Sequence, residues 1–62
     1  MRDPNRIHRI LRLLAAGWSQ APDLRLGQIF ENLKVYAHKE DLFYVEDDEL
    51  ERIIKDYFGL DN

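Results

Sequence analysis

The sequence predicts an all-α fold, a small three-helix domain with an extended connector before the last helix. Apolar residues recur at helical spacing in three separate segments, and residues that favour helix ends lie between them. The chain has 62 residues and no cysteine. We therefore expect a single helical domain over 1–62 that is held together by packing, without a disulfide or a thiolate metal site.

The first helix is predicted over about 4–20. Asp3 can accept hydrogen bonds from free backbone N–H groups, and Pro4 at the first helical position loses no hydrogen bond. An apolar stripe follows, made of Ile7, Ile10, Leu11, Leu14 and Trp18. Gly17 is unfavourable inside a helix, so its presence indicates that another backbone approaches closely there. Pro22 disfavours helical backbone at the residue before it and ends the segment.

The second helix is predicted over about 23–37, with Asp23 as its cap. Its stripe consists of Leu26, Ile29, Phe30, Leu33 and Ala37. The short connection between the first two segments predicts that these helices are antiparallel neighbours.

The third helix is predicted over about 47–58 and ends at Gly59, a residue type that suits the left-handed C-cap position. Its apolar stripe is Leu50, Ile53, Ile54, Tyr57 and Phe58. The acids at its start stabilise the positive end of the helix dipole, each by roughly 0.3–1 kcal/mol. The preceding segment, 42–45, has strand-like composition but no second strand to pair with. We expect it to be extended, with Leu42, Phe43 or Val45 lying across the bundle and Tyr44 facing the other way.

The charges divide the chain into two halves. Residues 1–25 hold five arginines and two acids, a net +3, and residues 26–62 hold four bases and ten acids, a net −6, which together give −3. The simplest interpretation is that the two halves attract each other inside one domain. Arg2, Arg6, Arg9 and Arg12 recur every three or four residues, and we expect them to pair with acids of the third helix rather than with phosphates.

Charged residues also cluster at all three predicted helix starts. If these starts converge, they form one polar network, which either orients the helices or serves as a recognition patch. Its candidate members are Arg2, Arg6, Asp23, Arg25, Asp47 and Asp48.

The sequence gives little support for catalysis, a metal or a cofactor. The acidic stretch from Asp41 to Glu51 lacks the ligand spacing and the glycine of a calcium loop. Ser19 is the one serine in the chain, and no glycine-rich nucleophile elbow surrounds it. We therefore expect a non-catalytic protein without a cofactor.

Three blocks of sequence resemble a family of short bacterial and phage proteins. They are Arg2–Ile7, then Trp18 with Pro22–Gln28 and Asn32, and finally Leu42–Leu50. The blocks span most of the chain and are distinctive in combination, although none is a chemical signature. The resemblance implies a bacterial or phage origin and implies no activity.

These observations predict a cytoplasmic protein–protein interaction module, with a regulatory role and homodimerisation both left open. No apolar run reaches the roughly 20 residues of a membrane span. The candidate partner-binding residues are Tyr36, Tyr44, Glu46 and Tyr57. One alternative is a phage-encoded inhibitor whose acidic face mimics a nucleic acid. A second alternative, which the acidic composition disfavours, is a DNA-binding accessory protein that uses the arginine ridge of the first helix.

Overall fold

The computed structural model describes residues 2–60, which form three α-helices joined by irregular segments. The helices are α1 (Asn5–Gln20), α2 (Leu26–Tyr36) and α3 (Asp47–Phe58). No strand occurs within residues 2–60, so the predicted all-α fold is confirmed. None of the helices in this range combines the length and the apolar character that a membrane crossing requires.

The third helix organises the packing, because both α1 and α2 lie mainly against it. The expected close pairing of α1 with α2 is therefore wrong. The buried side chains of the core come from all three helices and are Leu13, Ile29, Leu33, Ile53 and Ile54. An apolar stripe shows which side of a helix is buried, but it does not show which partner covers that side.

The helices α1 and α3 run parallel. Arg9 of α1 pairs with Glu51 of α3, and eight residues further along α1, Gly17 lies against Phe58, seven residues further along α3. A Cβ atom placed on Gly17 would lie 2.5 Å from Phe58 Cγ. The sequence had predicted that another backbone approaches Gly17. The close neighbour is instead the aromatic ring of Phe58.

The second helix begins three residues later than predicted, and Arg25 rather than Asp23 is its N-cap. The Arg25 backbone N–H donates to the Gln28 side-chain oxygen at 2.7 Å. Before it, a turn is closed by the Leu24 N–H, which donates to the Ala21 carbonyl at 3.1 Å. The Trp18 indole N–H donates to the Leu24 carbonyl at 2.8 Å, and this bond holds the turn against α1. Asp23 lies inside that turn, two residues before the N-cap position, which is too early to cap the helix.

Helices α2 and α3 end in the same backbone motif, although only α3 uses glycine for it. At the end of α3, Gly59 has φ 66°, and the Leu60 N–H donates back to the Lys55 carbonyl. At the end of α2, His38 has φ 56°, and the Lys39 N–H donates to the Lys34 carbonyl. This pattern of a left-handed residue with a six-residue hydrogen-bonded ring is the Schellman motif.

The connector between α2 and α3 has neither helix nor strand, and its central part is a turn. The Val45 N–H donates to the Leu42 carbonyl at 3.1 Å, while Val45 itself packs against the core. The turn carries Phe43 and Tyr44 outward together, so these two neighbours do not alternate between opposite faces as we expected. A turn replaces the alternation because no second strand is present to hold 42–45 extended.

Candidate functional site

Three arginines of the N-terminal segment and α1 meet three acids at the start of α3. Arg2 donates to Glu46 at 2.8 Å, and Arg6 donates to Asp47. Arg9 donates to both carboxylate oxygens of Glu51, from Nε at 2.7 Å and from Nη2 at 2.9 Å. We call these three pairs the ion-pair ladder. They are the pairing of arginines with third-helix acids that the charge pattern indicated.

Glu51 is the most buried side chain of the ladder, whereas its partner Arg9 is half-exposed. Glu51 is only 8% exposed, and its side chain reaches Arg9 at the edge of the core. The hydrogen bonds from Arg9 lower the pKa of Glu51, and this effect outweighs the opposing effect of its desolvation. Glu51 is therefore a carboxylate at neutral pH, and its two-point contact with Arg9 fixes how far α1 and α3 are offset along their axes.

The ladder contains only part of the predicted polar network. Arg2, Arg6 and Asp47 are brought together. Asp48 instead accepts a hydrogen bond from the adjacent Glu49 N–H at 2.9 Å. Asp23, in the turn before α2, and Arg25, the N-cap of α2, make no ion pair within residues 2–60. The start of α2 does not join the other two because α1 and α3 are the parallel pair.

Three members of the ladder were not among the predicted network residues: Glu46, which was predicted instead to bind a partner, and the pair Arg9 and Glu51. Their spacing contains the signal that would have found them. Arg9 follows Arg6 by three residues and Glu51 follows Asp47 by four, so each continues a row along one helix face. Two rows of opposite charge with matched spacing indicate two helices lying side by side.

The turn in the connector exposes two aromatic side chains, and we call Phe43 and Tyr44 the aromatic turn. Phe43 is 83% exposed and Tyr44 is 82% exposed. Their rings pack edge to face, with centroids 4.9 Å apart. Asp41 holds the backbone in place, because its side-chain oxygen accepts a hydrogen bond from the Phe43 N–H at 3.0 Å. The two rings therefore project from a constrained turn.

A shallow groove of about 420 Å³ lies beside the aromatic turn. Its apolar wall includes Phe30 of α2, Leu42 of the connector and Leu50 of α3. Glu31 and Lys34 form an ion pair at 3.1 Å on the polar side of the groove. Rings and groove together form a mostly apolar surface with charged residues around it.

The other predicted partner-binding residues lie in different surroundings. Tyr36 is half-exposed, and its ring packs edge to face on Tyr57 with centroids 5.4 Å apart. Tyr57 packs against the core and against Phe58, so part of its ring has a structural role. Glu46 is paired with Arg2 in the ladder. Of the four residues, only Tyr44 lies in the aromatic turn.

Within residues 2–60, no three or more histidines and acids are grouped so that they could hold a metal ion. Comparison of the chain with protein-family models, with curated proteins and with solved structures gave no significant match. The resemblance to short bacterial and phage proteins therefore stays a prediction. The geometry of the aromatic turn, its groove and the ion-pair ladder is the basis for a functional proposal.

Proposed function

We propose that this protein is a small, non-catalytic protein–protein interaction module of the bacterial or phage cytoplasm, and that it binds through the aromatic turn and the adjacent groove. The observation that supports this most directly is the exposure of Phe43 and Tyr44, each above 80%, on a turn that hydrogen bonds hold in place. Aromatic side chains are enriched in protein interfaces and contribute much of the binding energy there. Exposed aromatic rings in the free protein are therefore available for a partner to bury.

Burial of these rings by a partner would release a large amount of free energy for so small a surface. Covering a phenylalanine side chain contributes about 1.5–3 kcal/mol. The Asp41 hydrogen bond and the Leu42–Val45 turn reduce the conformational entropy that binding would otherwise cost. A constrained pair of rings is therefore better suited to binding than the same residues in a flexible loop.

The ion-pair ladder favours this function over the two alternatives. A nucleic-acid mimic needs free carboxylates, but Glu46, Asp47 and Glu51 are each paired with an arginine. A DNA-binding ridge needs free arginines, but Arg2, Arg6 and Arg9 are occupied by those same acids, which leaves Arg12 as the one arginine of the ridge without an acid partner in residues 2–60. Releasing either set for a partner would break contacts that hold α1 against α3, so these charges support a structural role.

The proposal is tested by capturing partners with the tagged protein from a bacterial lysate that also contains the untagged protein, before and after nuclease treatment. The double variant Phe43→Ser/Tyr44→Ser is compared with Val35→Ser, which removes an apolar side chain that is 68% exposed on α2. We expect the wild type and the Val35→Ser protein to capture the same protein after nuclease treatment, and the double variant to lose it. Capture that depends on nucleic acid, or that survives loss of both rings, would refute the proposal.

A further inference from the structure

A second apolar surface lies on α1. Ile7 is 49% exposed and Leu11 is 56% exposed, and their spacing of four residues places them one turn apart on the same helix face. Leu13 and Gly17, which are buried, occupy the side of α1 that faces α3. Ile7 and Leu11, which we call the α1 apolar pair, therefore lie outside the core although they belong to the predicted apolar stripe.

The α1 apolar pair has a basic edge. His8 and Arg12 follow Ile7 and Leu11 by one residue each, so they form the adjacent row on the helix, and both are exposed. The helix contains no acidic residue from Asn5 to Gln20. Arg12 makes no ion pair with any other residue of the 2–60 range.

The aromatic turn has an acidic edge. Glu40 and Asp41 directly precede the turn, and both are exposed. Glu40, like Arg12, has no ion-pair partner in the described part of the chain. Arg2 and Lys34 also lie beside the aromatic turn, but each is paired with an acid. The charges without an ion-pair partner are therefore of opposite sign at the edges of the two apolar surfaces.

We infer that the partner of the aromatic turn is a second copy of this chain, and that each copy places its aromatic turn against the α1 apolar pair of the other. This inference rests on the proposed function, because it uses the same aromatic turn. Charge complementarity selects this arrangement. Pairing two α1 surfaces would bring arginines together, and pairing two aromatic turns would bring acids together, whereas the crossed arrangement joins unlike charges.

The positions of the two surfaces are compatible with a symmetric dimer. Arg2, just before α1, lines a small pocket together with Phe43 and Tyr44, and Ile7 lies in the first turn of α1. Both surfaces therefore lie toward the end of the molecule where α1 and α3 begin. In a twofold dimer the contact of one surface with the other occurs twice, once in each direction, and the assembly closes at two copies.

The first experiment is sedimentation equilibrium of the pure protein over a range of concentrations. We expect a reversible monomer–dimer equilibrium. Leu11→Ser and Phe43→Ser should each raise the dimer Kd by about tenfold or more, as expected for central interface residues. Val35→Ser, the matched loss of an exposed apolar side chain from another helix, should leave the Kd unchanged. Circular dichroism of each variant verifies that the helices persist.

A charge exchange tests which surfaces meet. Arg12→Glu and Glu40→Arg should each raise the dimer Kd by roughly threefold, a size typical of charges at the rim of an interface. The double variant Arg12→Glu/Glu40→Arg should return the Kd close to the wild-type value, because it restores unlike charges across the interface. Both side chains are exposed and lie outside the ion-pair ladder, so neither change should unfold the protein.

Several results would overturn the inference. The protein could stay monomeric up to about 1 mM, or it could form oligomers larger than a dimer. Val35→Ser could weaken the dimer as much as Leu11→Ser and Phe43→Ser do. The double charge variant could have a dimer Kd as high as that of the single variants. A monomeric protein that still captures another protein through Phe43 would overturn the dimer and leave the proposed function intact. A dimer that captures no other protein would restrict the module to self-association.

Discussion

The contact between Gly17 and Phe58 makes a quantitative prediction about stability. Gly17→Ala adds one methyl group where the Phe58 ring already lies, with the new Cβ 2.5 Å from Phe58 Cγ and 2.6 Å from Phe58 Cε2. Gly27→Ala is a matched control in α2, because a Cβ at Gly27 meets no atom within 4 Å. Both variants make the same chemical change inside a helix, and they differ in the space around it.

The expected magnitude has two parts. Replacing glycine by alanine favours a helix by up to about 1 kcal/mol, and this gain applies to both sites. Overpacking a filled site costs typically about 1–3 kcal/mol, and this cost applies only to Gly17. The free energy of unfolding should therefore be lower in Gly17→Ala than in Gly27→Ala by about 1–3 kcal/mol. In a domain of this size, each kcal/mol corresponds to a Tm difference of about 4–8 °C.

The assay is thermal and urea unfolding of both variants, followed by circular dichroism. A further variant, Phe58→Leu, replaces the ring with a smaller and more flexible side chain. In that background, Gly17→Ala should be markedly less harmful, because the two sites are in contact and their effects are not additive. The packing argument is wrong if Gly17→Ala and Gly27→Ala stabilise the protein equally, or if Phe58→Leu does not change the effect of Gly17→Ala.

Three further predictions concern the remaining contacts. Glu51→Gln should lower the stability at neutral pH. Because Arg9 lowers the pKa of Glu51, the extra stability of the wild type is present above the unfolded-state pKa of about 4.3 and disappears as the pH falls through the lower folded-state pKa. Urea titrations at several pH values should show the free energies of unfolding of the two proteins converging in acid. A difference that does not change with pH would contradict this. His38→Gly should stabilise the protein by about 1 kcal/mol, because glycine adopts the left-handed backbone conformation of residue 38 without the steric strain of a Cβ atom. His38→Ala keeps the Cβ atom and should not stabilise the protein. Equal Tm values for the two variants would disprove the reasoning. Ile54→Ala should lower the free energy of unfolding by about 2–5 kcal/mol, because it opens a cavity in the core. A loss of this size is enough to unfold much of so small a domain. A loss below about 1 kcal/mol would show that the core collapses around the smaller side chain.

Sequence periodicity predicted the helices well because each has a strong apolar stripe and a recognisable end. Gly59 ends α3 at the expected place. Periodicity failed at the start of α2, where Trp18 fixes the preceding turn through a hydrogen bond to the Leu24 carbonyl. A bond between an indole and a backbone carbonyl six residues away has no sequence signal. The pairing of helices was also misassigned, because amphipathic stripes are alike and do not specify which one covers which.

Part of the candidate site could likewise be predicted from the sequence, and part of it could not. The arginine row of α1 and the acids of α3 could be matched from their signs and their spacing. The aromatic turn could not be identified, because the composition of 42–45 also suits a buried extended segment. The exposure of Phe43 depends on the hydrogen bonds that form the turn, from the Val45 N–H to Leu42 and from the Phe43 N–H to Asp41. The predicted apolar stripe of α1 was only partly right, because Ile10, Leu14 and Trp18 pack against the core, whereas Ile7 and Leu11 are exposed and Leu13 is the buried apolar side chain of this helix.

The parallel arrangement of α1 and α3 also determines when this protein can fold during its synthesis. The pairs of the ion-pair ladder join residues 41 to 44 positions apart, so each contact requires that α1, α2 and the start of α3 have all been made. On the ribosome, α1 is made first, with its arginines near the positive end of its own helix dipole and its α3-facing side uncovered. An isolated helix of this length is marginal in water, so α1 should become stable only once α3 has emerged. The domain is therefore expected to fold as one cooperative unit once α3 has emerged, without a stable intermediate made of α1 and α2.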